Sequence, residues 1–147
     1  MARLARNYTA PKDGEPCYYL GVALQAQGKL EGAYDAFHQA AWSRAWEAAA
    51  SYSLAEIACL RHDFGAALEF LERSLRLNAS DTRALSLRAT VLRHTGRGAE
   101  SARTVAEVER IDPLDIRALA ERHLGNRAAT DRAAGARERP ESPPFLA

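Results

Sequence analysis

A chain of 147 residues has the length of one ordinary domain, and a 47% hydrophobic share is enough for a folded core. A formal net charge of +1 gives no overall pull toward nucleic acid or anionic lipid, and no stretch approaches the roughly 20 apolar residues of a membrane span. Alanine dominates the apolar residues while Pro and Gly are sparse in the periodic part, a composition that favours helix.

Residues 1–13 read as a polar lead-in containing Pro11 and Asp13. Pro16 suits the first turn of a helix, where its missing N–H costs nothing. That helix runs to about Gln27 and ends at Gly28, and a second covers about Leu30 to Trp42. The next pair is predicted near 46–61 and 64–77, with Asp63 as the N-cap of the latter. A third pair, near 81–95 and 98–111, is started by Ser80 or Asp81 and divided by Gly96. Asp112-Pro113 has the form of a cap followed by a starting proline and opens a seventh helix from about Leu114 to Leu124. A charged tail with prolines at 140, 143 and 144 follows over 125–147, and its first part is able to continue the helix to about Arg137.

The dominant feature is a repeat of 34 residues. Leu20-Gly21, Leu54-Ala55 and Arg88-Ala89 fall in register, as do Leu24, Ala58 and Leu92. The next columns are Gly28, His62 and Gly96; Ala33, Ala67 and Ser101; Phe37, Leu71 and Val105; and Ala40, Ser74 and Val108. Ala45, Ala79 and Pro113 form the last. Small residues at two columns allow the helices of each pair to approach closely, and the bulky column fills the space beside their crossing. The seventh helix breaks the pattern, with Arg122, His123 and Asn126 where the first repeat has Leu20, Gly21 and Leu24. A polar face suits a helix that closes the stack.

Over about 16–124 these columns resemble the tetratricopeptide repeat family. The resemblance implies an all-α right-handed superhelix: a repeat domain over 14–124, with helix–turn–helix repeats at about 14–47, 48–81 and 82–115 and a capping helix at 114–124. Arg88, where the family has Leu or Tyr, and Gly98, where it favours an aromatic, depart from the pattern and predict looser packing of the third repeat. A second resemblance lies in Cys17-Tyr18-Tyr19-Leu20-Gly21, Tyr34-Asp35-Ala36-Phe37 and Ala41-Trp42-Ser43. These are similar to the helical C-terminal region of large uncharacterised bacterial proteins with a β-rich, carbohydrate-related region upstream. That implies a piece or a stand-alone relative of such a protein, serving as an accessory module in domain packing or oligomerisation.

In the tetratricopeptide family the first helix of each repeat lines the ligand groove. Carried onto this sequence, those offsets give Glu15, Tyr18, Val22 and Gln25, then Ala49, Tyr52, Glu56 and Leu60, and finally Arg83, Ser86, Thr90, Arg93 and His94. Tyr18 and Tyr52 share an offset one helix spacing apart, about 10 Å. Paired tyrosines anchor a partner well, having large area, few rotors and a hydroxyl, though they also serve as internal packing. Glu15 and Glu56 against Arg83, Arg93 and His94 imply a charge gradient along the groove. Some members of the family grip a terminal carboxylate with Lys and Asn at fixed groove offsets; here those positions hold Tyr18, Val22 and Leu87, with only Arg83 of the right charge, so that clamp is not expected. Trp42 and Trp46, one turn apart, are read as wedges at the first repeat junction, or else as an exposed docking patch.

No catalytic constellation is legible. His38, His62, His94 and His123 have no metal-ligand spacing, Cys17 and Cys59 have no base beside them, and no phosphate loop or nucleophile elbow is present. Neither enzyme activity nor a cofactor is expected, and neither nucleic acid nor membrane as a partner. Two thiols and an N-terminus without a signal-like apolar core lead to an expectation of a reducing, cytoplasmic setting. The partner is expected to be a protein or peptide, with a homo-oligomer as the other form of association.

Overall fold

The computed structural model describes residues 14–137; the lead-in over 1–13 and the last ten residues of the tail lie outside the described residues. Among the described residues there are seven helices and no strand: α1 (Glu15–Ala26), α2 (Leu30–Ala40), α3 (Glu47–Leu60), α4 (Phe64–Leu77), α5 (Thr82–His94), α6 (Gly98–Ile111) and α7 (Ile116–Arg137). Each helix packs on the one that follows it, and α7 also reaches α5. No described helix is long and apolar enough to cross a membrane.

The turn inside each hairpin is built identically. Gly28 and Gly96 adopt φ of +74° and +79°, and His62 in the same column takes +59°. The amides of Lys29, Asp63 and Arg97 then reach back to the carbonyls of Leu24, Ala58 and Leu92 at 2.9, 2.9 and 2.8 Å, closing each helix end with a left-handed residue. Histidine tolerates that conformation at a cost that glycine avoids. Asp63 accepts from the Ala66 amide at 3.1 Å and Asp81 from the Arg83 amide at 3.0 Å, so both act as N-caps.

Within each hairpin the small and large columns meet. Gly21 lies so close to Phe37 that a Cβ there would stand 2.7 Å from the ring, while Ala55 and Ala89 in the same column belong to hairpins filled by the smaller Leu71 and Val105. Phe37, Leu54, Ile57 and Leu71 are fully buried. Where the small column carries Ser101, its hydroxyl donates to the Ala89 carbonyl at 2.8 Å, satisfying a polar group at the helix crossing.

The C-terminal helix differs from expectation in both start and length. Asp112 makes only a local turn, accepting from the Leu114 amide at 3.0 Å; the cap is Asp115, which accepts from the Ala118 amide at 3.0 Å. The helix then continues past Leu124 to Arg137. Its buried residues are Ala118 and Glu121, and beside the polar column at Arg122, His123 and Asn126 it also exposes Ile116. The two tryptophans divide the roles expected of the pair. Trp46 packs 4.9 Å from Tyr18 and 5.8 Å from Tyr19, ring centre to ring centre, whereas Trp42 is 82% exposed and wedges nothing.

Candidate functional site

The face formed by the first helices is centred on Tyr52. Its ring is half-buried against Ala55 and neighbouring core residues, and the Arg83 guanidinium lies 5.2 Å above it. Its phenol is hydrogen-bonded to the Glu56 carboxylate one turn on. Burial, then the Glu56 charge and hydrogen bond, push the Tyr52 hydroxyl up to about 12, against the smaller opposing influence of Arg117 and Arg83. Arg83 is itself fixed by Asp81 at 3.3 Å, and half of its side chain faces solvent. Its guanidinium is held in its charged form by the Asp81 hydrogen bond first and also feels Tyr52 and Tyr18.

Tyr18 is the other aromatic of this face, half-buried against Phe37 at 5.6 Å and Trp46 at 4.9 Å. Its ring therefore does packing work as well as lining the wall. Glu15 and Val22 are exposed and Gln25 is half-buried along the same helix. Ala49 is half-buried and Leu60 exposed on α3.

The third repeat departs from the expected groove. Ser86 is 2% exposed and therefore out of a partner's reach. Thr90 donates its hydroxyl to Glu121 Oε1 at 2.9 Å, and Arg93 donates to Glu121 Oε2 at 2.7 Å. Both side chains are turned to α7. His94 is exposed but stacks on Phe64, ring centres 5.9 Å apart. The expected charge gradient is accordingly replaced. Arg93 is neutralised by Glu121, and Glu56 and Arg83 meet on the same tyrosine instead of standing at opposite ends.

Arg117 of α7, whose charge is felt at the Tyr52 phenol, was not among the expected groove residues. Its signal is in the sequence. Glu15, Ala49, Arg83 and Arg117 form one column at the 34-residue interval, so carrying the groove offset one helix further finds it. No group of three or more His, Cys, Asp or Glu among the described residues could hold a metal ion.

No family model and no curated protein matches the sequence. Solved structures do. The first TPR of Spaghetti (RPAP3), bound to the HSP90 peptide SRMEEVD, superposes with a TM-score of 0.75 at 19% identity, covering 80% of this chain and 94% of that one. The first TPR domain of human RPAP3 gives 0.76 at 18%, over 85% and 98% of the two chains. MamA gives 0.75 at 20%, over 88% and 76%. The fold is that of a tetratricopeptide domain. In a tetratricopeptide array α1, α3 and α5 are the inner-wall helices, and α7 continues their row.

A titration tests the electrostatics of this wall. A phenolate absorbance titration is expected to show one tyrosine ionising near 12, and that step should be missing in Tyr52→Phe. The folded value lies above the free value, so folding holds the neutral form. The contribution is complete below pH about 10 and is lost as pH rises through the folded value. A Tyr52→Phe chain that keeps the late step would show that another tyrosine owns it.

Proposed function

We propose that this chain is a non-catalytic protein-interaction module that binds an extended or helical peptide along the wall formed by α1, α3, α5 and α7. Tyr52 and Tyr18 provide aromatic area, while Arg83 and Arg117 provide charge able to meet an acidic side chain. The observation that carries this reading is the Arg83 guanidinium stacked on Tyr52 with half its side chain still in water. A preset cation over a half-buried ring has little freedom left to lose on binding. The first TPR of Spaghetti (RPAP3), which binds an HSP90 peptide, lends support by fold. Its peptide is not transferred to this chain, because Tyr18, Val22 and Leu87 occupy the positions of a carboxylate clamp.

Panning a random peptide library against the intact chain tests the proposal. Selected peptides should lose about thirtyfold in affinity against Tyr52→Ala or Arg83→Ala, the ~2 kcal/mol of an interface hot spot, and nothing against Trp42→Ala. Peptides indifferent to Tyr52 and Arg83 would place the binding surface elsewhere.

A second reading, an accessory module packing against another domain or protomer, is favoured by one observation. Leu20 is 54% exposed, whereas Leu54 at the same offset is fully buried, so the outer side of α1 lacks the helix that covers its counterpart in the next repeat.

A further inference from the structure

The C-terminal end of the stack contains a cleft of about 920 Å³ between α6 and the far half of α7. It lies within the roughly 300–1,000 Å³ range of pockets that engulf a ligand or a few large side chains. The 34-residue columns show why it exists. Where the first two repeats carry Leu30 and Phe64, the third has Gly98; where they carry Tyr34 and Leu68, it has Ala102; where they carry His38 and Glu72, it has Ala106. In the earlier repeats these side chains are used. Leu30 and Tyr34 pack on one core cluster, Phe64 and Leu68 on the next, and His38 lies 5.7 Å from Phe70. On α6 the column is trimmed to the backbone, and Gly125, Ala128 and Ala129 of α7 line the opposite wall. A groove trimmed on both sides accepts bulk from outside.

We infer that residues 138–147 of this chain fold back into the cleft and seat Phe145 and Leu146 against Ala102, Val105 and Ala106. The first argument is composition. From 125 to 144 the chain has no Val, Ile, Leu, Met, Phe, Tyr or Trp, and then comes Phe145-Leu146. The second is reach. The helix ends five residues beyond Arg132, the last residue to line the cleft, an overshoot of about 7.5 Å. The eight residues 138–145 span up to ~26 Å when extended, and the floor from Gly98 to Glu109 is about 16 Å long. The third is polarity. Pro140, Pro143 and Pro144 bring no N–H to bury and have less freedom to lose than other residues. The fourth is charge. Arg122 is within 3.1 Å of Glu109, and Arg93 is paired with Glu121, but Arg132 spans the mouth toward Gly98, where Glu138 and Glu141 of the tail complement it. A second copy would need to supply a helix at solution concentration, whereas the tethered segment is present at an effective concentration in the millimolar range. This inference is independent of the peptide-binding wall.

The test is a disulfide trap in the full chain. Ala106→Cys and Leu146→Cys are combined in a Cys17→Ser, Cys59→Ser background, with Arg76→Cys and Leu146→Cys as the control pair. The inference expects cross-linking within the monomer at least roughly tenfold faster than in the control. Cross-linked dimers would assign the cleft to a second copy, and a rate equal to the control would empty it; either result overturns the inference. A second measurement leaves the cysteines alone. Amide exchange over 128–137 is expected to be about tenfold faster in Phe145→Ser, Leu146→Ser than in the parent chain, and unchanged exchange overturns the inference.

Discussion

Replacing Phe37 by Ala is expected to lower the stability of the domain by about 3–5 kcal/mol, measured by urea unfolding followed by helical circular dichroism. Phe37 is fully buried in a cluster with Ala33, Ala40, Ala50, Leu54 and Ile57. The ring also supports Tyr18 at 5.6 Å, so a cavity there would loosen the aromatic end of the inner wall. The same contact makes Gly21 sensitive to size. In Gly21→Ala the new methyl would stand 2.7 Å from the ring, and overpacking of ~1–3 kcal/mol competes with about 1 kcal/mol gained in helix propensity. The second hairpin solves the same geometry with Ala55 and Leu71. Gly21→Ala with Phe37→Leu should therefore cost less than the sum of the single changes, whereas strict additivity in the double-mutant cycle would show that the two positions do not share the space.

Loss of the Glu121 carboxylate is the second large effect. Glu121→Gln is expected to cost about 2–3 kcal/mol at neutral pH, because Arg93 and Thr90 lose a charged acceptor in a largely desolvated site. Burial by itself would raise the acidity constant of Glu121, but the hydrogen bonds from Arg93 and Thr90, with the charges of Arg93 and His94, outweigh it and hold the carboxyl below its usual value of 4.5. The sign follows from that direction. The folded carboxyl releases its proton more readily than the unfolded one, so its contribution is fully present above about pH 4.5 and disappears as pH falls through the lower folded value. Stability of the parent and of Glu121→Gln, measured across acid pH, should converge. A gap that stays constant into acid would mean that the carboxylate charge is not what α7 contributes.

The hairpins were legible because a short rule repeats. The columns that include Gly28, Gly21 and Phe37 place turn, close crossing and filler, and the structure uses them so. The cap of α7 was missed although the same register shows it. Asp81 and Asp115 share a column, but the local pair Asp112-Pro113 fits the dipeptide rule for a helix start more closely, and position in the array decided the outcome. The tryptophans were read as a unit from spacing alone, yet a change of chain direction between α2 and α3 places only Trp46 against the rings of Tyr18 and Tyr19. In the wall, Thr90 and Arg93 stand at groove offsets, but those offsets say nothing about an inward glutamate on the following helix. Sequence patterns describe the repeating part well and its termination poorly, since the last helix meets neighbours that no earlier repeat has.

Because every helix touches chiefly the next one along the chain, native contacts join residues close in sequence. Such a topology has a low relative contact order, so the entropy spent on closing loops before contacts form is small and folding should be rapid. Nucleation can begin at any hairpin and spread outward, and unravelling starts where a helix has one neighbour instead of two. The inner pair α3 and α4, flanked on both sides, would then be the last part to come apart.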